Sequence, residues 1–310
     1  MPRLDVVIVN WNTRRYLELC LRALRAARRD GFTFGDICIV DNASSDGSRE
    51  FIAEQQDCKA IYNESNRGFA AACNQGAGRV TGDLILFLNP DVQVGLDSVA
   101  EAAGYISSAG NENVGIVGVQ LRDESGCVQR SCARFPTASG LLGLALHLDR
   151  VISVLVKPHF MVEWDHESTR EVDQVMGAFF MVRRTVFGQL RGFDERFFVY
   201  YEDLDFALRA SQCGWKSVFL ANGAAMHIGG GASRQAPGRR VYYGLCSRTA
   251  YARKHFGAGV AALVTSAALT VELLFRLGRE LLRNKGRGIA QILSAYVDFA
   301  LQAVVLRRSV

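Results

Sequence analysis

LDVVIVN, residues Leu4–Asn10, decides the fold because it contains a continuous β-branched run, has a strand's length and ends on a polar side chain. A run without alternation is typical of a parallel strand that is buried on both faces. A helix-period pattern follows over Tyr16–Ala27, and a second buried strand, DICIVD, follows at Asp36–Asp41. Strand, helix and strand at this spacing predict βαβ units around a mostly parallel sheet.

The same alternation continues toward the C-terminus. Further strands are predicted at Ala60–Asn63, Asp83–Asn89, Val114–Leu121, Val175–Arg183 and Ser217–Ala221, and further helices at Ser48–Gln55, Gly68–Arg79 and Arg184–Leu190. Polar residues close the strands at Asn10, Asp41 and Asn89, the last followed by Asp91. In open α/β sheets, ligands bind outside the carboxyl ends of the strands, so this edge is the predicted site. The less regular stretch Arg122–Arg170 is expected to supply loops that shape it.

The composition is that of a globular chain with an uneven charge. At 310 residues, 49% hydrophobic and 22% charged, the chain has enough apolar residues for a full core. Its net charge is +5, but Arg253–Val310 holds nine Lys/Arg against three Asp/Glu. None of the eight cysteines forms a C-x-x-C pair, and no targeting peptide is evident before the first strand, which favours reduced thiols in the cytoplasm.

The character of the sequence changes after Tyr251, which predicts a domain over residues 1–250 and a helical segment over 251–310. Two apolar helix patterns, Ala258–Leu282 and Ile289–Leu306, are flanked by basic residues, which suits amphipathic helices at a membrane surface. The alternative is a helical pair packed on the rest of the chain or in a homo-oligomer interface. The segment lacks the aromatic interleaving and groove-reading motifs of nucleic-acid binders, so no nucleic acid is expected.

Two segments could hold a cation. Asn89-Pro90-Asp91 closes a predicted strand, and Pro90 ends strand pairing so that the chain turns and presents Asp91. A carboxylate there suits Mg²⁺ or Mn²⁺ bound with a diphosphate, although an ordinary turn explains the same residues. His227 precedes three glycines, which permit a close approach of the backbone to a ligand. Imidazole and carboxylate together can bind Mn²⁺, whereas a lone histidine on an apolar segment is more often a core residue.

Two loops carry candidate contacts to an anion or a base. Helix capping explains Ser44 and Ser45 but explains Asp41 poorly, because that carboxylate stands at a strand end. Asn66-Arg67-Gly68 opens a helix whose N-terminus favours anions, and Arg67 adds positive charge. The chain has neither a G-x-G-x-x-G nor a Walker sequence, so dinucleotide and P-loop sites are not supported.

VYYEDLDFALR, residues Val199–Arg209, places the carboxylates Glu202, Asp203 and Asp205 in four positions beside aromatic residues. Carboxylates are costly to desolvate in such surroundings, which indicates a base or a cation site. The alternative is an acidic helix start that complements the macrodipole, and it accounts for Asp205 better than for the other two.

Seven segments follow one another in order along the chain. They are VVIVNWN (Val6–Asn12), IVDNASSDGS (Ile39–Ser48), NRGFAAACNQG (Asn66–Gly76), LFLNPDV (Leu86–Val92), GAFFMVRR (Gly177–Arg184), GFDERFFVYYEDLDFALR (Gly192–Arg209) and MHIGGGAS (Met226–Ser233). Together they resemble glycosyltransferase family 2, the inverting nucleotide-sugar transferases, over roughly residues 4–233. The bacterial rhamnosyltransferase branch is the most similar in style, because NPD stands where most members carry D-x-D.

The resemblance implies an α/β GT-A fold, Rossmann-like with a mostly parallel central sheet flanked by helices, and a C-terminal helical extension. It implies a nucleotide-sugar donor, with dTDP-L-rhamnose leading and UDP-galactofuranose or a UDP- or GDP-hexose as alternatives. The residues expected to contact the donor are Asn10, Asn12, Asp41, Asn66, Arg67, Gly68, Asn89 and Asp91. Asp91 and His227 would hold Mg²⁺ or Mn²⁺ at the diphosphate, although Asn89 in place of the first acid of D-x-D weakens the expected metal dependence.

The resemblance further implies that Asp203 is the catalytic base and that Glu202 orients the acceptor or the base. The acceptor would be a glycan or a polyprenyl-diphosphate-linked hydroxyl in cell-envelope polysaccharide synthesis, at the cytoplasmic side of the inner membrane or in the cytoplasm. Two other classes stay open. One is a catalytically silent sugar-nucleotide or glycan-binding protein. The other is a nucleotidyltransferase, which would be expected to carry a Gly-rich loop where this chain has Asn10-Trp11-Asn12.

Overall fold

The structure, a computed structural model, describes residues 1–148, 159–231, 235 and 237–308. Its strands are β1 Arg3–Asn10, β2 Thr33–Asp41, β3 Cys58–Tyr62, β4 Leu84–Leu88, β5 Val92–Val94, β6 Val114–Arg122, β7 Cys132–Ala133, β8 Arg170–Val172, β9 Gln174–Val175, β10 Phe179–Arg183 and β11 Lys216–His227. Its helices are α1 Arg14–Ala26, α2 Ser48–Ala53, α3 Phe69–Ala77, α4 Ser98–Ser107, α5 Ala138–Ala145, α6 Arg184–Gln189, α7 Glu202–Gln212, α8 Pro237–Ala267, α9 Leu273–Asn284 and α10 Ile289–Arg308, with a π-helical turn, Ala268–Glu272, between α8 and α9.

The described chain forms two compact units. The first comprises Met1–Phe135, Phe160–Phe198 and Glu202–Ala232 and contains all the strands named above. The second comprises Pro136–His159, Val199–Tyr201 and Ser233–Val310 and contains α5 and α8 to α10. Residues of α8 to α10 and of the π-helical turn form a small apolar core in it. Helix α8 runs across residue 250, where a domain boundary was predicted.

The main sheet of the first unit has the order β3-β2-β1-β4-β10-β6-β11-β5, and β8 also pairs with β11. Strand β1 pairs in parallel with both β2 and β4, and β11 pairs in parallel with β6. Strand β10 is antiparallel to both of its neighbours, and β5 is antiparallel to β11. The predicted α/β class with a mostly parallel sheet is therefore confirmed, with antiparallel insertions that the sequence pattern did not reveal.

Several predicted elements have different bounds. The predicted strand Val175–Arg183 is two strands, of which β9 belongs to a separate two-stranded sheet with β7. The predicted strand Ser217–Ala221 extends through all of β11 to His227, with an irregular register between Leu220 and Ala225. The C-terminal helices begin at Pro237 rather than Ala258, and α8 is interrupted at Gly257, whose φ is 86°. Residues 149–158 of the predicted irregular stretch lie outside the described residues.

The sheet has an apolar layer on each face, because successive side chains of a strand point to opposite sides. On β1, Leu4, Val6 and Ile8 belong to one core cluster, whereas Val7 and Val9 belong to the other. Residues of α1 and α4 complete the first cluster, and residues of α3 and α7 complete the second. This layering leaves the carboxyl edge of the sheet free for polar residues.

Asp5 is a fully buried carboxylate within β1, at an irregularity in the pairing with β2. Its oxygens accept backbone N–H groups of Asp36 at 2.8 Å, Thr81 at 2.7 Å and Gly82, and the Arg3 guanidinium at 3.3 Å. Burial tends to raise the pKa of Asp5, but these donors prevail and the pKa lies below its usual value. Asp5 therefore accepts three backbone N–H groups from two separate segments, Asp36 and Thr81-Gly82.

We expect Asp5→Ala to lower the free energy of unfolding by about 3 kcal/mol, because it leaves three backbone N–H groups without an acceptor. Urea denaturation near neutral pH measures this loss. Asp83→Ala is the control, because the Asp83 carboxylate accepts a single exposed backbone N–H, that of Arg3. Equal losses in the two variants would contradict the role given to Asp5.

Candidate active site

Asn10 and Asp41 form a bonded polar pair where β1 and β2 end. Both side chains are fully buried. Asn10 Nδ2 donates to Asp41 Oδ1 and Ser44 Oγ, each at 3.1 Å, and Asn10 Oδ1 accepts the Thr13 hydroxyl at 2.6 Å. Asp41 Oδ2 also accepts the Arg49 guanidinium at 3.1 Å. The pair fixes the loops that follow both strands, and its contact with a nucleotide stays a prediction.

Asn12 shapes the loop after β1. It has a φ of 52°, in the left-handed region. Its backbone N–H donates to Ser44 Oγ at 2.9 Å, and its Oδ1 accepts the Ser45 N–H at 2.7 Å. The loops after β1 and β2 are thereby joined at the edge of the sheet.

The Asn66-Arg67-Gly68 loop is held by hydrogen bonds of Asn66, and the guanidinium of Arg67 is exposed. Asn66 Oδ1 accepts the Gly68 N–H at 2.9 Å, and Gly68 has a φ of 86°. A Cβ at Gly68 would lie 2.4 Å from the carbonyl oxygen of Phe198, so only glycine fits. The first N–H of α3, that of Phe69, is already donated to this carbonyl at 2.6 Å. Arg67 is exposed, and no described residue forms an ion pair or side-chain hydrogen bond with its guanidinium.

Asp91 and His227 meet through strand pairing. Asn89 ends the strand with its N–H donated to the Ala178 carbonyl at 2.9 Å, and the chain then turns into β5, where Val92 pairs with His227 of β11. The Asp91 Oδ1 and His227 Nε2 atoms are 3.8 Å apart, and both residues are more than nine-tenths buried. Asp91 Oδ2 accepts the backbone N–H of Gly231 at 2.9 Å. Residues 232 and 233 of the last resemblance segment lie outside the described residues.

The His227 ring is held from its other side by Gln129. The Gln129 Oε1 atom lies 2.8 Å from His227 Nδ1, and Gln129 Nε2 donates to the His227 carbonyl oxygen at 2.7 Å. Burial lowers the pKa of His227, with Asp91 offsetting part of that change. A neutral imidazole is the form that coordinates metals.

Asp91 and His227 fit a divalent cation that is shared with a substrate. Within the described ranges, no group of three or more His, Cys, Asp or Glu side chains could hold a metal ion. Mg²⁺ commonly takes only one or two protein ligands and completes its shell with phosphate oxygens and water. One buried carboxylate and one neutral imidazole match this pattern better than they match a metal site built from protein ligands alone.

Asp203 lies at the start of α7 and faces the strand edge. Its Oδ2 accepts the Gly177 N–H and its Oδ1 accepts the Leu204 N–H, each at 2.8 Å. Burial raises the pKa of Asp203, while these two donors and the Gln174 side chain lower it, so that the net shift is upward. Gly177 adjoins Ala178, whose carbonyl accepts the Asn89 N–H, so Asp203 and the Asn89-Pro90-Asp91 turn are anchored to adjacent residues.

The other two acids have different surroundings. Glu202 is 5% exposed, and its buried Oε2 has no hydrogen-bond partner. Burial and the neighbouring Asp203 raise the pKa of Glu202 well above its usual value. Asp205 is fully buried and pairs at 2.8 Å with Arg209, which also donates to the carbonyls of Leu190 and Gly192. Asp205 therefore anchors the preceding loop.

The chain enters α7 through two strained residues. Tyr200 and Tyr201 each have a φ of 68°, which is uncommon for side chains other than glycine, asparagine and aspartate. Such residues cost of order 1–3 kcal/mol each and concentrate at functional sites. Here they fix the point at which the helix carrying Glu202 and Asp203 begins.

Three residues of this site were missed by the sequence analysis. Gln129 lies in the irregular stretch that no periodic pattern covers, and its partner His227 is 98 positions away. Gln174 directly precedes the predicted strand Val175–Arg183, and Gly177 lies within it at the start of the resemblance segment GAFFMVRR, but neither was assigned to the site. A Cβ at Gly177 would lie 3.2 Å from Asp203 Oδ2, which accounts for the glycine.

Comparison with protein families and with curated proteins identifies relatives of the chain. The model of the family described as glycosyl transferase family 2 matches residues 5–136. An N-acetylglucosaminyl-diphospho-decaprenol L-rhamnosyltransferase of Mycobacterium tuberculosis is 28% identical over 244 residues, which are 72% of this chain and 75% of that protein. The rhamnosyltransferase WbbL of Escherichia coli is 27% identical over 149 residues, 47% of this chain and 52% of that protein.

Solved structures share the fold. The mannosyltransferase PcManGT from Pyrobaculum calidifontis, in complex with GDP-Man and Mn²⁺, aligns with a TM-score of 0.54 at 17% identity over 98% of this chain and 87% of that one. Residues 1–349 of S. aureus TarS align with a TM-score of 0.52 at 15% identity over 96% of this chain and 80% of that one. At these identities the likeness concerns the fold alone, and it confirms the predicted GT-A architecture.

The raised pKa of Glu202 predicts a stability difference that depends on pH. A folded-state pKa above the usual 4.5 means that the contribution is present below that value and is lost as pH rises toward the folded pKa. Glutamine cannot ionise. We therefore expect the free energy of unfolding of Glu202→Gln to rise relative to that of the wild type as pH increases, by up to about 1.4 kcal/mol for each pH unit.

Urea denaturation between pH 5 and pH 8 measures this gain. Glu101→Gln, an exposed acid in the first turn of α4, is the control and should show a constant difference from the wild type. A pH-independent difference for Glu202→Gln would show that Glu202 is ionised as an ordinary surface glutamate is.

Proposed function

We propose that this chain, a family 2 glycosyltransferase of the rhamnosyltransferase-like branch, transfers L-rhamnose from dTDP-L-rhamnose, with inversion, to a hydroxyl of a glycan or polyprenyl-diphosphate-linked acceptor. One observation carries the proposal. Asp203, a half-buried carboxylate held by two backbone N–H groups, is anchored to Gly177, next to Ala178, whose carbonyl accepts the N–H of Asn89 in the Asn89-Pro90-Asp91 turn. A base and a diphosphate site belong at such neighbouring positions.

In the proposed reaction, Asp203 is the general base. Its carboxylate accepts the proton of the acceptor hydroxyl as that oxygen bonds to the anomeric carbon, and the nucleoside diphosphate leaves with the electron pair of the broken bond. Attack from the face opposite the leaving group inverts the configuration. The upward shift of the Asp203 pKa makes the carboxylate a better proton acceptor, while the two N–H donors keep its orientation fixed. Glu202 is proposed to orient the acceptor beside it.

The proposed donor half of the site lies along the carboxyl edge of the sheet. Asp91 and His227 would hold Mg²⁺ or Mn²⁺, which would supply positive charge where negative charge develops on the diphosphate. The exposed guanidinium of Arg67, which pairs with no side chain among the described residues, would add a second positive charge. Asn10, Asn12, Asp41, Asn66, Gly68 and Asn89 are proposed to shape the nucleotide end of this half.

The names of the relatives favour L-rhamnose over the alternatives. Two of them are rhamnosyltransferases, and the name of one specifies a diphospho-decaprenol-linked acceptor. UDP-galactofuranose and UDP- or GDP-hexoses remain the competing donors. A catalytically silent binding protein is disfavoured by the intact Asp91, Asp203 and His227, and a nucleotidyltransferase by the absence of a Gly-rich loop after β1.

We further propose that the second unit rests on the cytoplasmic face of a membrane through α9. Helix α9 has no buried residue, and its apolar side chains Leu274, Phe275, Leu281 and Leu282 are 38–88% exposed. Their spacing of i, i+1, i+7 and i+8 puts them on one face of the helix. Arg279 and Arg283 are exposed beside that face, and Lys285 and Arg287 follow it. This is the pattern of a helix that lies in an anionic membrane surface.

The alternative, a helix that spans the bilayer, has weaker support. The helical stretch Pro237–Asn284 contains an 18-residue window with a mean hydropathy of 1.9, enough by length and composition alone to cross a membrane, and a third of the window is buried. The stretch is broken at Gly257 and at the π-helical turn, and Glu272 is buried in ion pairs with Arg248 and Arg276. A homo-oligomer that covers the α9 face is the second alternative.

We expect Asp203→Asn to lower kcat for sugar transfer by about 10³-fold or more, because an amide cannot accept the proton of the acceptor hydroxyl. Binding of the donor should persist. Transfer and donor hydrolysis are measured with dTDP-L-rhamnose and Mn²⁺ or Mg²⁺. Binding is measured as a thermal shift with the same donor and with UDP- and GDP-sugars, since a ligand of the folded state raises its stability.

Asp97→Asn is the matched control, because the Asp97 carboxylate is an exposed partner of Arg28. Near-normal turnover in Asp203→Asn would refute the assignment of the base. A larger thermal shift with a UDP- or GDP-sugar than with dTDP-L-rhamnose would replace the donor and leave the base in place.

Replacing Leu274 and Leu282 by Glu is expected to weaken binding to vesicles that contain phosphatidylglycerol by more than tenfold, because each buried leucine contributes about 1.5–3 kcal/mol. Flotation of the full chain measures this. Leu96→Glu, at another exposed leucine, in the first unit, is the control. High salt should weaken wild-type binding. Equal flotation of wild type and variant, or a wild-type dimer that the double substitution converts to monomer, would contradict the membrane proposal.

A further inference from the structure

Gln129 is bonded to both the backbone and the ring of His227, which is unusual for a half-exposed side chain in an irregular segment. Its own backbone N–H donates to the Leu121 carbonyl at 2.8 Å, at the end of β6, so the residue is fixed to the sheet. Its side-chain amide then reaches His227 with both of its polar atoms, at 2.7 and 2.8 Å. We propose that Gln129 is a positioning residue that selects the tautomer of His227 and aims its Nε2 atom at Asp91.

The direction of the amide follows from the backbone contact. A carbonyl oxygen can only accept a hydrogen bond, so the atom of Gln129 that faces the His227 carbonyl must be the NH₂ group. The amide oxygen therefore faces His227 Nδ1. An amide oxygen can only accept, so Nδ1 must carry the ring proton.

The tautomer follows from the amide direction. A neutral imidazole carries one proton, so a proton on Nδ1 leaves a lone pair on Nε2. The Nε2 atom is the one that lies 3.8 Å from Asp91 Oδ1. This distance is too long for a hydrogen bond. The lone pair of His227 Nε2 and the carboxylate oxygen Asp91 Oδ1 are therefore two electron-pair donors beside each other. That donor set is what a divalent cation requires.

The proposal concerns the cation part of the proposed function and rests on it, but the ring proton can be examined by itself. A purely structural role for Gln129 would be to tie the segment after β6 to β11. Such a role would require the contact to the His227 carbonyl and would be indifferent to which ring nitrogen is protonated. The tautomer is therefore the readout that separates positioning from simple anchoring.

The first test is nitrogen NMR of the full chain labelled with ¹⁵N-histidine. The chain has five histidines, and His227→Gln identifies the signal of interest. We expect long-range ¹H–¹⁵N correlations to show His227 protonated at Nδ1. In Gln129→Leu, which has no acceptor, the ring should shift to the Nε2-protonated form or to a mixture. In Gln129→Glu, the carboxylate still accepts the Nδ1 proton, and the wild-type tautomer should persist.

The second test is Mn²⁺ binding measured by electron paramagnetic resonance, with Mn²⁺ alone and with Mn²⁺ plus dTDP. Loss of a residue that orients a metal-binding histidine typically weakens affinity 10–100-fold, and we expect this loss in Gln129→Leu. Gln93→Leu is the matched control. Gln93 lies in β5 opposite Met226, one position from the pair that contains His227, and no described residue hydrogen-bonds to its side chain.

The outcomes distinguish this proposal from the proposed function. Wild-type His227 protonated at Nε2, or an unchanged tautomer in a folded Gln129→Leu, would overturn the role of Gln129. If Gln129→Leu does not fold, the wild-type tautomer and the behaviour of Gln129→Glu decide. Failure of the wild type to bind Mn²⁺ in the presence of dTDP would remove the proposed cation, and the NMR result would still decide whether Gln129 selects the tautomer.

Discussion

The pairing of β5 with β11 is the constraint on which the site depends. Strand β5 has three residues, yet its register opposite β11 brings Asp91 beside His227, a residue far along the chain. Strand β11 is itself anchored to β6 before its register shifts, so its last residues are positioned by the body of the sheet. Side chains at the ends of sheet strands are held more precisely than side chains on free loops. The Asp91–His227 contact is therefore a property of the sheet.

The buried strands and their polar ends could be predicted because they are local. Continuous apolar runs ending at Asn10, Asp41 and Asn89 need only the strand period and the carboxyl-edge rule. The direction of β10 could not be predicted in this way, since a strand buried between β4 and β6 has the same apolar pattern whether it is parallel or antiparallel. A three-residue strand such as β5 has too little length for a period.

The acidic cluster shows where a sequence pattern stops being informative. The sequence shows that Glu202, Asp203 and Asp205 are clustered, and it favours a structural role for Asp205. The hydrogen-bond partners that distinguish the three acids come from other segments of the chain. Asp203 receives its donor from Gly177 before β10, whereas Glu202 has an oxygen with no partner. Three neighbouring carboxyl groups thus acquire different hydrogen-bond partners from contacts that sequence spacing cannot encode. The same holds for Gln129 beside the proposed cation ligands, because its contact is with the ring of His227, 98 positions away in the sequence.

Gly177 and Ala178 set the relation between the two halves of the proposed site. The Gly177 N–H holds Asp203, and the Ala178 carbonyl holds the N–H of Asn89, two residues before Asp91. A Cβ at Gly177 would lie 3.2 Å from Asp203 Oδ2, so a side chain there would displace the carboxylate by a few tenths of an ångström. Inverting transfer needs the base and the leaving group on opposite sides of one sugar carbon, at a fixed separation. Two adjacent backbone groups, one directed to each half, are a short and stiff means of maintaining that separation. Because β10 is antiparallel to β4, the residues just before it, Gly177 and Ala178, lie at the edge where β4 ends, between the two halves of the proposed site.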